Sequence, residues 1–440
     1  MAASVAVAFA DSSIVVLALP DLYGAFDTTI VGVSWVITSY NLVVALAAGA
    51  VAVFWSRFDA RRWGRVGLLL FTGGSIGCAA SWSLAALIAF RCVQGLGGAL
   101  VLATSISLLG GLTGSRERGI ALWTHVAVLG AAVGPVLGGV LTQLFDWRAI
   151  FVVQAPVAAV ALLATVGGGA AGGRDGADAR GRRARGALAA DAALGLVFAA
   201  LVGALFLAVL LVITVWGLEP VVGALVVSAL PAATVAARYL GRGLDRVVAI
   251  GGGALLLTAG LLALALLPRV SDALVAVALG FCGLGTGLAV PALTQVAVHQ
   301  DAGLVRSGAI TVAARHAGLV LALALVAPLL TTSLDRAGRH ALLGGTREIL
   351  DAGVPLRKKV PISLALRDAL ESAQKGEVPD LGKPFDDAGA RTNDDVRHAR
   401  DSLVTTLESA LTRGFRSAFA LAALFALLAL VPAVRLGRLE

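Results

Sequence analysis

Asp11, Arg91 and Arg315 stand inside apolar runs, where lipid makes charge expensive. Asp11 lies near the middle of the apolar run 2–20, and Arg91 about one third of the way into the run 84–109. An ionisable side chain at the centre of a membrane helix costs about 2.5–3.5 kcal/mol on insertion scales, so both should face a bundle interior or a watery cavity. Burial disfavours the charged form of a carboxylate, and a nearby cation favours it. A carboxylate poised between those effects can exchange a proton near physiological pH, which is what proton coupling needs. The bland alternative for Asp11 is a fixed buried contact that never titrates. Arg91 keeps its proton and can only attract, orient or repel.

Other polar side chains inside apolar runs are Tyr40, Asn41, Gln154, Thr214, Thr294 and Gln295. They suit either a central cavity or hydrogen bonds between helices, worth under about 1–2 kcal/mol each. Gln94, three residues after Arg91, joins the cavity candidates. His125 and His316 are candidate proton relays, although a lone imidazole is more often a packing residue. There is no His/Cys metal spacing, no nucleophile elbow, no phosphate-binding loop and no clustered acid pair in a span. An enzyme, a metal and a cofactor are therefore not expected. Cys78, Cys92 and Cys282 all sit in apolar segments, which argues against a disulfide framework.

The elements that must position these residues follow from composition. Of 440 residues, 58% are hydrophobic and 14% charged. Soluble domains run near half apolar and a quarter charged, and disordered chains are the reverse. Apolar stretches at 2–20, 33–55, 66–82, 84–109, 119–144 and 148–169 read as one set of spans. Those at 192–215, 218–237, 247–267, 272–298, 307–331 and 417–434 read as a second. Each can cross about 30 Å of hydrocarbon as a helix. Ala8-Phe9-Ala10 before Asp11 resembles a signal-peptide cleavage site. No basic n-region precedes it and the apolar run continues to Leu19, so an uncleaved span is expected.

Net charge is +8, which in a soluble protein would suggest nucleic acid. The placement says otherwise. With the N-terminus inside, 17 Lys/Arg residues fall in one side's loops, against only Arg148 and Arg269 in the short loops opposite. That is a positive-inside pattern, with both termini cytoplasmic. Residues 170–191 form a Gly/Ala/Arg-rich linker between the two sets, able to let two bundles rock. Residues 332–416 form a polar external insertion. Its Leu364, Leu366 and Leu370, and then Val396, Leu403, Leu407 and Leu411, predict two short amphipathic helices. Trp35, Trp55, Trp82, Trp147 and Trp216 stand at span ends, where indole anchors to headgroups.

Glycine spacing adds a more specific signal. Gly130-Ala131-Ala132-Val133-Gly134-Pro135-Val136-Leu137-Gly138-Gly139 lies inside the fifth span. Small residues four apart let helix backbones approach closely, and Pro135 removes a backbone donor. This decamer resembles, at every fixed position, the antiporter motif G-x-x-x-G-P-x-x-G-G of the major facilitator superfamily, in its drug–proton antiporter group. Arg91, Gln94 and Gly95 resemble the family's fourth-helix motif, whose arginine is implicated in proton transfer. Asp11 to Val15 with Ala18-Leu19-Pro20 is similar to its first-helix motif, with Ser13 for Thr and Ala10 for Leu. Trp147-Arg148 with Phe151 and Pro156 is similar to the opening of its sixth helix.

The loop after the second span matches less well. Gly64-Arg65 fits the end of the family pattern G-x-x-x-D-R-x-G-R-[KR], but Arg61 stands where Asp is expected and Asp59 is displaced by two residues. Gly241-Arg242-Gly243-Leu244-Asp245-Arg246 matches the pattern's first part better, which suggests an internal repeat.

The resemblance implies an all-α major facilitator fold of twelve transmembrane helices. Its halves are a six-helix bundle over 1–169 and a second over 192–440. It implies proton-coupled export of lipophilic or cationic small molecules, with Asp11 and Arg91 coupling and Asp59, Arg61, Gly64, Arg65, Asp245 and Arg246 gating. The energy source is the proton gradient, and the partners are a plasma-membrane bilayer and a small molecule, the carrier working as a monomer. Two alternatives are export of an endogenous lipid or amphiphile using 332–416, and a non-transporting receptor.

Overall fold

Backbone groups in hydrocarbon must be satisfied within their own segment, which favours helices for these runs. The computed structural model describes residues 2–54, 59–166, 185–267, 270–299, 303–351, 361–362, 364 and 394–436, and every regular element among them is a helix. The first half holds α1 (Ala2–Leu17), α2 (Leu19–Ala25), α3 (Ile30–Phe54), α4 (Ala60–Ala79), α5 (Leu84–Thr113), α6 (Arg116–Leu144) and α7 (Arg148–Val166). The second holds α8 (Arg185–Val209), a π-helical continuation Leu210–Val215, α9 (Pro220–Val227), α10 (Ala229–Leu240), α11 (Arg246–Ala265), α12 (Asp272–His299) and α13 (Leu304–Asp351). It closes with α14 (Asp394–Gly414), α15 (Arg416–Leu428) and α16 (Leu430–Leu436).

Among the described residues, 8 helical stretches are long and apolar enough to cross a bilayer, and α1 with α2, bent by 58°, makes a ninth. Helices α4, α6 and α7 complete the expected two sets of six. Charge lowers the hydropathy of α4, which opens with Arg61, Arg62 and Arg65. Local chemistry sets the ends. Ser83 and Ser115 side chains accept from Ala86 N (3.2 Å) and Arg118 N (3.4 Å), capping α5 and α6. Gly114, at φ 65°, takes the left-handed turn that ends α5.

In the first half α1 packs on α6 and α7, α4 on α5 and α7, and α3 on α5. In the second, α8 meets α12, α13 and α15, while α11 meets α12 and α15. The halves touch along two seams: α13 against α3 and α5, and α6 against α9 and α10. A cavity lies between them.

Several boundaries move. The expected linker 170–191 is shorter, since α8 begins at Arg185 and buries Asp191; residues 167–184 lie outside the described residues. The expected span 307–331 does not stop as a helix at the hydrocarbon edge but runs on to Asp351, because leaving lipid does not break a backbone ladder. The amphipathic helix expected through Val396–Leu411 is α14, and the one through Leu364–Leu370 falls almost wholly outside the described residues. Trp35 and Trp82 are exposed as anchors should be, and Trp55 is not described. Trp147 is a correction: it is buried against Phe26 and Phe151. The three cysteines are free thiols.

Candidate functional site

Asp11 and Arg91, 80 residues apart in sequence, meet in the interior of the first half. Arg91 Nη1 donates to Asp11 Oδ1 (2.8 Å) and Oδ2 (2.7 Å), and both side chains are 0% exposed. Nη1 also reaches Gln94 Oε1 at 2.7 Å, and Nε donates to Val36 O of α3 at 2.9 Å. Nη2 has no acceptor among the described residues. Gln94 Nε2 in turn donates to Ser75 Oγ (2.8 Å) on α4 and Gln154 Oε1 (2.7 Å) on α7. One polar network thus ties α1, α3, α4, α5 and α7 together. A buried pair holds only when such bonds satisfy its remaining donors and acceptors.

The pair communicates with the seam between the halves. The Arg91 guanidinium stacks on the Tyr40 ring at 4.3 Å. Tyr40 donates its hydroxyl to Ala8 O of α1 (3.3 Å), and its ring lies 6.5 Å from that of His316 on α13. His316 belongs to the wall of the central cavity, which holds about 80 Å³. That is room for a few waters, far below the roughly 300–1,000 Å³ of drug-sized pockets. Phe9 and Ser13 of α1, Trp123 and Thr124 of α6, Phe198 of α8, Thr234 of α10, Thr286 and Thr294 of α12 and Arg315 of α13 are in its lining. Helix α1 therefore has two working faces. Phe9, Ser13 and Val16 face the cavity, while Asp11 points into its own half.

Several expected site residues are relocated by this geometry. Of Tyr40, Asn41, Gln94, Gln154, Thr294 and Gln295, only Thr294 lines the central cavity. Gln94 and Gln154 serve the ion-pair network, and Asn41 donates to Ile37 O (2.8 Å). Gln295 and His125 line a separate groove of about 960 Å³ between α6, α10 and α12, at the end carrying the arginine-rich loops. The Asp11 carboxylate is held by Arg91 and is not in the cavity lining. Arg315 falls inside the apolar run 307–331 as Arg91 does inside 84–109, but no feature of the sequence indicates what surrounds it.

The glycine decamer makes the close helix approaches its spacing predicts, mostly within one half. Side chains at Gly130, Gly134 and Gly138 would collide with Ala6, with Ser13 and Ala10 O, and with Ile14 O, all on α1 of the same half. Only Gly139 faces across, against Ala224 Cβ and Pro220 O (3.1 Å) of α9. Gln143 Oε1 reinforces that crossing by accepting from Val221 N at 2.7 Å.

At the basic end, Asp59 stands at the N-cap of α4. Its carboxylate caps α4 by accepting from Arg62 N (2.8 Å), and Asp245 caps α11 by accepting from Val247 N (2.8 Å). Arg61, Gly64 and Arg65 sit in the first turns of α4, and Arg246 opens α11. Two loops in corresponding places of the two halves thus use one device. Replacing Asp59→Ala should cost about 1 kcal/mol of cap energy. The expected result is a melting point lower by a few degrees with transport within twofold of wild type, whereas a latch would give collapse of transport. No group of three or more metal-ligating side chains occurs among the described residues.

Residues 1–323 match the Major Facilitator Superfamily. Over 161 residues the chain is 38% identical to Multidrug resistance protein Stp of Mycobacterium tuberculosis, which is 36% of this chain and 30% of that one. It is 37% identical over 159 residues to the Methylenomycin A resistance protein of Bacillus subtilis, covering 35% and 34%. The matched stretch thus spans about a third of the length of these relatives. A bacterial homologue of the human lysosomal transporter Spinster, in an inward-facing and occupied conformation, superposes with TM-score 0.67 over 99% of this chain and 96% of that one, at 15% identity. A D-xylose–proton symporter superposes with TM-score 0.56 over 73% and 87%, at 14% identity.

Proposed function

Since the chain belongs to the major facilitator superfamily and is a multi-pass membrane transporter rather than an enzyme, we propose that it is a proton-coupled exporter of lipophilic small molecules working by alternating access. The observation that carries this is the fully buried Asp11–Arg91 pair, held on α1 behind the face that lines the cavity between the halves. The partial relatives named for multidrug and methylenomycin resistance support export of lipophilic solutes. The receptor reading has no support among them.

The chemistry runs through this chain's own groups. A proton reaching Asp11 cancels the charge that holds Arg91 Nη1. Arg91 cannot discharge, so it must shift toward other acceptors, with Nη2 unengaged at the start. That shift moves the Tyr40 ring stacked beneath it, and Tyr40 abuts His316 on the far side of the α3–α13 seam. Proton binding is thereby converted into a push on the boundary between the halves. One charge crossing 100 mV supplies about 2.3 kcal/mol, and one pH unit about 1.36 kcal/mol. Together these sustain a gradient of several hundredfold for one-proton exchange of a neutral solute. No cofactor is called for. The arginine-rich loops and both termini face the cytoplasm in this reading, and the carrier acts as a monomer in the plasma membrane.

The test is reconstitution into liposomes with a pH-reporting dye inside. A lipophilic fluorescent solute should leave the vesicle interior only when a proton gradient is imposed, with solute and proton fluxes in fixed ratio. Solute flux indifferent to the gradient would reduce the protein to a facilitator.

A further inference from the structure

We infer that the transported molecule is an anionic amphiphile whose acidic group sits on Arg315. This rests on the export reading above and names its substrate class. Arg315 is the charged residue in the lining of the central cavity, and it is 5% exposed. Its guanidinium carbon lies 4.2 Å from the centroid of the Phe9 ring and 4.0 Å from that of Phe198, so aromatic faces from both halves flank it. No carboxylate pairs with it among the described residues, and its Nε donates to nothing. The buried carboxylates nearby in the fold are engaged elsewhere: Asp11 by Arg91, and Asp191 by Thr311 Oγ1 at 2.9 Å, one helical turn before Arg315 on α13.

The contrast with Arg91 is the argument. Both arginines are buried at membrane depth, yet one has its counterion and the other has two rings. Aromatic faces attract a cation and offset part of its desolvation, but they satisfy no N–H group. A buried cation of this kind is expensive and is usually found where a ligand or ion pathway uses it. A planar guanidinium fork matches a carboxylate, sulfonate or phosphate. The remaining lining supplies what the rest of such a molecule needs. In the conformation described the cavity admits only waters, so the molecule enters when the halves part; Leu201, Val202, Leu205 and Leu319 then accept hydrocarbon, and the threonine hydroxyls add weak polar contacts. A lipophilic cation would instead meet uncompensated like charge.

The approach has the same sign. The groove beside the cavity shares α6, α10 and α12 with it and carries Arg238, Arg242 and Arg246 among Leu129, Tyr239 and Leu288. Its acid, Asp245, is spent on capping α11. Basic groups set among apolar ones suit an anionic amphiphile arriving along the membrane face.

The experiment measures binding, not transport. The full chain is placed in nanodiscs of neutral lipid and titrated with two probes sharing one alkyl-naphthalene fluorophore, one carrying a sulfonate and the other a trimethylammonium group. Tryptophan-sensitised emission reads occupancy, since Trp123 is part of the cavity wall. The sulfonate should bind at least tenfold tighter than the ammonium. Arg315→Gln should erase that preference, and Arg315→Lys should keep its sign while losing several-fold. The melting point of Arg315→Gln should hold or rise, because the variant loses an unpaired buried charge; a fall would mark a structural arginine and overturn the assignment. Equal binding, an ammonium preference, no binding of either probe, or a sulfonate preference that survives Arg315→Gln would overturn it as well. The titration uses no gradient, so proton coupling can fail in liposomes while the charge preference stands, and the reverse.

Discussion

Asp11→Asn should abolish proton-driven efflux, lowering it by at least a hundredfold, while leaving solute binding within a few-fold of wild type. The amide has no charge to lose or regain, so Arg91 no longer sees a difference between two protonation states. Binding survives because Asp11 faces away from the cavity, which Phe9, Ser13 and Val16 line from the same helix. Stability should suffer as well. Removing one partner of a buried ion pair costs about 3–5 kcal/mol, because the other charge stays behind uncompensated. Hence a second variant is needed. Asp11→Asn combined with Arg91→Gln should recover much of the lost melting temperature and none of the coupling. If the single variant still moves protons with solute in wild-type ratio, Asp11 is a structural residue.

Gly139→Val should stop transport more than tenfold by a different route. A side chain there overlaps Ala224 on α9 and wedges the halves apart at the end opposite the arginine-rich loops. Within the first half the added side chain meets only the tip of Leu17, Cδ2 at 3.2 Å, which can give way, so the melting point should change little. A cavity position such as Val202→Cys, in a background freed of Cys78, Cys92 and Cys282, should become reactive to a membrane-impermeant thiol reagent from that opposite end. Gly134→Val makes the informative comparison. It overlaps Ser13 and Ala10 O on α1 within one half, so overpacking of roughly 1–3 kcal/mol should appear as lost stability. Equal labelling in the two variants would mean that Gly139 does not hold the seam.

These two glycines also mark what the sequence could and could not reveal. Small residues four apart announce close helix contact, but not which neighbour makes it. Gly134 and Gly138 lie on the face of α6 turned to α1, within one half, a choice that the spacing alone does not make. Hydropathy located the spans well, since burial in lipid leaves few alternatives to a helix. It misjudged where α8 begins and α13 ends, because helices are ended by caps and turns rather than by the bilayer surface. Asp11 and Arg91 were legible as expensive residues, yet their meeting depends on how α1 and α5 rotate. Gln94 and Gln154 looked like cavity residues for the same reason, and their rotation instead gives them to the ion pair. Asp191 carries no such mark, since in sequence it closes the arginine-rich linker and it becomes buried only because α8 starts at Arg185.

The lone guanidinium in the cavity has an electrical consequence. A carrier with one unmatched positive charge in its translocation path is neutralised there when it holds an anion and bare when it does not. The reset stroke of the vacant molecule, not the delivery stroke, is then the step that the membrane voltage speeds or slows. Turnover in such a machine would respond to polarisation even at zero pH difference, and most strongly when cargo is abundant and resetting limits the cycle.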